Sequence, residues 1–221
     1  PTSAVKNLHK KVHDKGNPGL TDDELKQIRL KLDSAGIRLL TYYYHNIPGD
    51  AAGCRKVFEF GRKMGIETFI SEPPLDALDT IERFCDEYDI KLAIHNHGPG
   101  DERYPSPESA YTRIKDMDPG MGLCIDIGHT ARLGLDPVAD TRKFMDRVHD
   151  IHIKDEDKAE ASGNTCEIGR GVIDVAGFLE MLIEENYSHV VSFEYEKDGK
   201  DPLAGLAESV GYVRGLLTLL A

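Results

Sequence analysis

Short apolar runs alternate with longer stretches of helical period throughout the 221-residue chain, and this alternation restricts its fold more than any other feature. The runs that read as strands are Ile37–Tyr43, Ile66–Glu72, Ile90–His95, Met121–Ile127, Val148–Lys154 and Val190–Glu196, with a shorter one, Ala4–His9, near the start. Between them Leu78, Ile81, Phe84, Cys85 and Tyr88 recur at helical spacing, as do Val175, Phe178, Leu179, Leu182 and Ile183. Ser106-Pro107, Asp136-Pro137 and Asp201-Pro202 each place a capping oxygen before a proline suited to a first helical turn. Repeated strand-helix units predict an α/β protein with a parallel sheet, either doubly wound or a (β/α)8 TIM barrel lacking a unit. No Ser/Gly-rich linker interrupts the pattern, so one domain spanning residues 1–221 is expected.

Strand polarity favours the barrel. Side chains alternate faces along a strand, so Ala93, His95 and His97 share a side, as do Cys124, Asp126 and Gly128, then Asp150, His152 and Lys154, then Ser192, Glu194 and Glu196. In each segment the polar groups gather at the C-terminal end of one face, where a barrel directs side chains into its catalytic mouth. An acid such as Asp126 at the end of a buried strand is costly unless it is paired or bound to a cation. His95, Asp126, His152 and Glu194 together suit a divalent ion such as Mn, Mg, Co or Zn, which would polarise a carbonyl and a hydroxyl. The competing reading has Asp126 capping the next helix and the others forming a buried ion-pair network.

Lys and Arg number 27 against 39 for Asp and Glu, a formal charge of −12, which argues against nucleic acid as a partner. No apolar run approaches the roughly 20 residues of a membrane span and no signal-peptide pattern opens the chain, so a soluble, cytoplasmic protein is expected. A start at "PTSAV" without Met leaves room for a removed leader or a trimmed terminus. Cys54, Cys85, Cys124 and Cys166 form no CxxC pair, and three lie in apolar periodic segments, as core thiols in a reducing compartment would.

The segments "LAIHNHGPG", "GLCIDIGHTARLGLDP", "VHDIHIKDED", "GRGVIDVAGFLEML" and "VVSFEYEKD" resemble successive motifs of the sugar phosphate isomerase/epimerase superfamily, the xylose isomerase-like barrels, from about Ile37 to the C-terminus. The resemblance implies a divalent metal held by Glu, Asp, His and Glu from four consecutive strands, which maps onto Asp126, His152 and Glu194. Where ketose epimerases have the first Glu this chain has His95, so the fourth ligand is His95, His97 or a water. It also implies proton abstraction next to the carbonyl of a sugar or sugar phosphate, with Glu194 as base and His95 as a second one. The His-rich strand, "DIGH", "HIKD" and "EYEKD" are similar to inosose dehydratase as well, which implies a lyase acting on a keto-sugar or keto-inositol. A non-catalytic sugar-binding barrel is a third possibility. Apurinic endonucleases share the superfamily but need a basic DNA-facing surface. A homo-oligomer follows from the resemblance alone. Ala4–His9 aligns with a second barrel strand, so the first βα unit is expected to be missing or the barrel gapped.

Further candidates line the mouth. The resemblance makes His129 a substrate hydroxyl contact, against a plain helix-entry histidine. Lys154 could hold an oxyanion or phosphate, against a salt bridge to Asp155. Arg170 in "GRG" suits an anionic substrate group, against a surface arginine. Glu72 lines the mouth or merely ends its strand, and the aromatics of "TYYYHN" stack on a sugar or fill the core.

Overall fold

A computed structural model describes residues 19–220, so the strand expected at Ala4–His9 lies outside the described residues. The described residues form two compact units, divided between Leu92 and Ala93.

The first unit runs through α1 (Asp22–Ser34), β1 (Thr41–Tyr43), α2 (Ala51–Met64), β2 (Thr68–Ser71), a 3-10 turn (Leu75–Ala77) and α3 (Leu78–Tyr88). Thr21 and Glu24 form a capping box that starts α1. Asp50 caps α2, and Gly65, at φ 70°, ends it in the left-handed conformation that costs glycine least. β1 pairs in parallel with β2, Thr41 opposite Thr68. The expected strand at Ile37–Tyr43 is shortened because the Ile37 amide donates to Leu32 O to close α1, leaving only Thr41–Tyr43 for the ladder. Phe58 centres the core, 5.4 Å from the Phe69 ring and 5.8 Å from that of Phe84. Tyr42 packs edge-on against Phe60 and Tyr44 against Phe69, so both half-buried rings lie against the core.

In the second unit β3 (Lys91–His95), β4 (Met121–Asp126), β5 (Val148–Ile153) and β8 (Val190–Phe193) lie side by side in that order. β4 and β5 are buried along their whole length, as strands covered on both faces should be. β4 pairs in parallel with β5 with Asp126 opposite His152, and β5 pairs in parallel with β8 with Ile153 opposite Phe193. The Glu194 amide then donates to Ile153 O at 3.1 Å, which carries the register one residue past β8. Asp126 and His152 are therefore level, and Glu194 lies two residues beyond Ser192, the partner of His152, on the same face.

Helices follow the strands: α4 (Pro107–Ile114), α5 (Ile127–Arg132), α6 (Pro137–Lys143), α7 (Val175–Glu184) and α8 (Leu203–Leu220). Ser106 and Asp136 cap α4 and α6 ahead of Pro107 and Pro137 as expected, and α8 begins one residue after Pro202. α8 corrects one expectation: with mean hydropathy 1.3 and 17% of it buried, it is long and apolar enough by length and composition to cross a membrane. Glu208 and Ser209 within it are nevertheless engaged, by Arg170 at 2.6 Å and by the Ile168 amide at 3.1 Å. Cys54, Cys85 and Cys124 are buried free thiols and Cys166 is half-buried.

A two-residue hairpin, β6 (Asp155–Glu156) against β7 (Thr165–Cys166), was not expected from the sequence, because strands so short show no period. Its anchor is the Asp155 carboxylate. Oδ1 accepts from the amides of Glu156 at 3.0 Å and Ile173 at 3.1 Å, and Oδ2 from those of Gly169 at 2.9 Å and Gly171 at 3.0 Å. Charge-assisted bonds of this kind contribute about 1.5–3 kcal/mol each when buried. Asp155→Ala should therefore lower unfolding free energy by about 3 kcal/mol or more in urea titrations, and a loss below about 1 kcal/mol would show that the loop does not depend on this carboxylate.

Candidate active site

Asp126 ends β4 with no exposed surface. Its Oδ1 accepts the His129 amide at 2.6 Å and so caps α5. Asn96 fixes the backbone there, accepting from the Asp126 amide at 2.9 Å and donating to its carbonyl at 3.3 Å, while Thr130 Oγ1 donates to the same carbonyl at 2.7 Å. The other carboxylate oxygen, Oδ2, accepts no hydrogen bond and faces His95 Nε2 at 3.6 Å, Lys154 Nζ at 3.6 Å and His129 Nε2 at 4.0 Å. One oxygen of Asp126 thus caps a helix, and the other faces His95, Lys154 and His129.

His152 Nδ1 lies 2.5 Å from Glu194 Oε2, and His95 Nε2 lies 3.8 Å from the same oxygen. One ligand atom from each of His95, Asp126, His152 and Glu194 lies within 4.8 Å of the other three. The structure thus brings together the four residues expected at the strand ends.

Lys154 is fully buried beside them, with Nζ 2.5 Å from Glu196 Oε2, 3.3 Å from Glu194 Oε1 and 3.6 Å from Asp126 Oδ2. Burial alone would lower its pKa, but the surrounding carboxylates raise it above the ordinary lysine value. Burial likewise pushes the Asp126 carboxyl up, and His129, Lys154 and His95 more than reverse this, holding it well below the usual carboxylate range. His129 is pushed down to about 4 by burial. Arg132 Nη1 donates to its Nδ1 at 3.4 Å, and as guanidinium only donates, the imidazole proton sits on Nε2. Gly128 has no side chain for a steric reason: a Cβ there would fall 2.8 Å from Lys154 Cδ and 3.0 Å from Glu156 Oε1.

The remaining expected site residues divide. His97 is exposed, its ring 5.8 Å from that of His95 and 4.9 Å from that of His129. The salt bridge considered for Lys154 and Asp155 does not form, because Asp155 gathers loop amides instead. Arg170 is exposed and its guanidinium holds Glu208 of α8 at 2.6 and 2.9 Å, the turn of "GRG" being tied to Asp155. Glu72 is buried in the first unit, where its carboxylate accepts from Tyr43 Oη at 2.8 Å and faces His45 at 3.8 Å. Sequence reasoning placed Glu196 on the Glu194 face without assigning it a role, and gave no role to Asn96, Arg132 or Glu156. Glu156 follows the "HIKD" motif directly, which was the available signal.

With this geometry in hand, kinship can be assigned. Residues 72–216 match the family of xylose isomerase-like TIM barrels. The chain belongs to that family. Among the described residues its barrel strands are β1 to β5 and β8, short of the eight of a complete barrel. The inosose dehydratase of Mesomycoplasma hyopneumoniae (strain 7448) is 26% identical over 161 residues, covering 64% of this chain and 53% of that protein. The chain spans about half the length of the curated relatives it matches. An uncharacterised protein of Parabacteroides distasonis superposes with a TM-score of 0.68 at 31% identity, over 90% of this chain and 78% of that one. The IolI protein, solved with a bound zinc atom, superposes with a TM-score of 0.72 at 17% identity, over 97% and 86% of the two chains, a likeness of fold alone.

Glu156 is 1% exposed, and burial raises its carboxyl to about 7, against the downward pull of Lys154 and Arg132. From its ordinary value of 4.5 up to about 7 the folded protein holds a proton there that the unfolded chain has released. Stability therefore falls as pH rises through that window. Glu156→Gln, which cannot ionise, should match the wild type near pH 4.5 and exceed it by about 1–3 kcal/mol at pH 8. A stability difference that does not change with pH in denaturant titrations would contradict this.

Proposed function

We propose that this chain is a metal-dependent enzyme that removes a proton next to the carbonyl of a sugar or keto-inositol from one side, with loss of water as the outcome that its site suits best. The observation that carries this reading is the meeting of His95, Asp126, His152 and Glu194 within 4.8 Å. Two imidazoles and two carboxylates are a donor set for a borderline or hard divalent ion. Asp126, Glu194 and Glu196 surround the single ammonium of Lys154, an excess of negative charge that a divalent cation would neutralise. Asp126 Oδ2, buried without a hydrogen bond, supports the same fit. The zinc in the IolI structure is in keeping with it. When bound, such an ion would polarise the substrate carbonyl and a neighbouring hydroxyl.

Glu194, with 24% of its side chain exposed against 3% for His95, is the donor open to substrate and the base. A His95 Nε2 that held the ion would have no lone pair left to take a proton, which favours one-sided chemistry over epimerisation with His95 as the opposing base. His152 Nδ1 and Lys154 Nζ hold the two Glu194 oxygens in place. His97, exposed beside His129, is the imidazole placed to give a proton to a departing hydroxyl. Aldose-ketose isomerisation uses the same single base, which would return the proton to the neighbouring carbon, and it stands as the second reading.

The deciding experiment is incubation with Mn, Mg, Co or Zn and a panel of 2-keto-myo-inositol, ketoses and aldoses in deuterated water, followed by NMR. Expected are one equivalent of metal per chain, deuterium entry next to the carbonyl, and loss of water from at least one substrate. Glu194→Gln should keep the fold and cut exchange by about 10²-fold or more. Full metal occupancy without exchange on any substrate would identify a sugar-binding barrel, and unchanged turnover in Glu194→Gln would remove the proposed base.

A further inference from the structure

Next to Lys154 the hairpin and α5 border an open cleft of about 420 Å3, lined by Arg132, Glu156, Asn164, Thr165, Glu196 and Lys197 among others. It shares Glu196 with the candidate active site, since that carboxylate also holds Lys154 Nζ at 2.5 Å. Its volume lies within the range of small-molecule sites. Most of its polar groups already have partners. Lys197 holds both oxygens of Glu167 at 2.8 and 2.9 Å, Arg132 Nη2 donates to Ala161 O at 3.0 Å, and Glu156 Oε1 accepts from Thr165 Oγ1 at 3.3 Å. Two buried atoms in its lining have none: Glu156 Oε2 and Arg132 Nε. Leaving a buried donor and a buried acceptor unsatisfied is unfavourable, and natural sites tolerate it where a ligand completes them.

The chemistry of those two atoms defines that ligand. A hydroxyl accepts from Arg132 Nε through a lone pair and donates its own hydrogen to Glu156 Oε2. If Glu156 carries a proton, the hydroxyl accepts from it instead, so either state is matched. A phosphate or carboxylate would meet the Glu156 and Glu196 carboxyl groups, and of the cations nearby Lys197 is already engaged by Glu167 and Lys154 by Asp126, Glu194 and Glu196, which leaves Arg132 to offset it. We propose that this cleft is a subsite for an uncharged hydroxylated arm of the substrate, with Glu156 and Arg132 as its specificity-determining pair, and that the enzyme acts on an unphosphorylated sugar or keto-inositol. The subsite rests on the proposed function only in naming its occupant a substrate.

Isothermal titration of the metal-loaded full chain tests this with 2-keto-myo-inositol and D-fructose as neutral probes and myo-inositol 1-phosphate and D-fructose 6-phosphate as their anionic counterparts. At least one neutral probe should bind tenfold or more tightly than its phosphate. Glu156→Leu and Arg132→Met should each weaken that probe by tenfold or more, while Glu156→Gln, which still donates and accepts, stays within about threefold, and metal stoichiometry is unchanged throughout. Should Glu156→Leu not fold, Arg132→Met and Thr165→Val carry the test. Tighter binding of the phosphates, no binding of either neutral probe, or variants that bind like the wild type would overturn the subsite. Binding that responds to the variants without proton exchange would overturn the catalytic reading and sustain the subsite. Exchange untouched by Glu156→Leu and Arg132→Met would do the reverse.

Discussion

A carboxylate with no exposed surface must be surrounded by donors and positive charge, and Asp126 imposes that requirement on everything near it. The α5 amide at His129 takes one oxygen, and Asn96 and Thr130 fix the backbone on either side. The second oxygen is answered by Lys154 and the imidazoles of His95 and His129. Lys154 is buried in turn and needs Glu194 and Glu196 to remain charged, and Gly128 must lack a side chain so that the lysine stem and Glu156 can pass. One buried acid at a strand end thus determines the identity of residues on β3, β4, β5, the segment after β8, and α5.

The strand ends of the fold were legible because a parallel strand covered on both faces is a continuous apolar run, and a polar residue that interrupts it stands out. Met121–Asp126 and Val148–Ile153 differ from the expected runs by a single residue at their C-termini. Asp126 was visible for that reason, and His152 and Glu194 because alternation puts them on the same face near the C-terminal ends of their runs. The β6–β7 hairpin was not, since two residues per strand show neither alternation nor a turn signature. The Arg170–Glu208 pair was not legible because a glycine-flanked arginine says only that its loop turns sharply, and the side to which it turns is set by Asp155, fifteen residues earlier in the chain.

Glu156 and Arg132 escaped for a different cause. An arginine in the last turn of a short helix and an acid after a strand are each commonplace, and their significance lies in one buried atom of each, Arg132 Nε and Glu156 Oε2, that makes no hydrogen bond, a property of three-dimensional packing. Asn96 is similar, as it sits between two histidines in "AIHNH" and supports the Asp126 backbone from a neighbouring strand. Alternation separates the faces of a strand but does not reveal which residues brace the next one.

The Asp155 carboxylate acts on the chain between residues 156 and 173 much as a noncovalent cross-link would, removing loop-closure freedom without sulfur chemistry. Its ties fall at the base of the hairpin and at Gly169, Gly171 and Ile173, whereas the tip is closed by its own bonds from Gly163 to Glu160 O and from Asp157 to Asn164 O. That division separates two burdens that a loop usually carries together. Residues 158–163 can change in length or sequence and so alter how Asn164 and Thr165 are presented to the cleft, while the base and the strand ends above it stay as they are. Divergence in what such a barrel accepts would then accumulate at the hairpin tip, and divergence in whether it folds would accumulate at the staple.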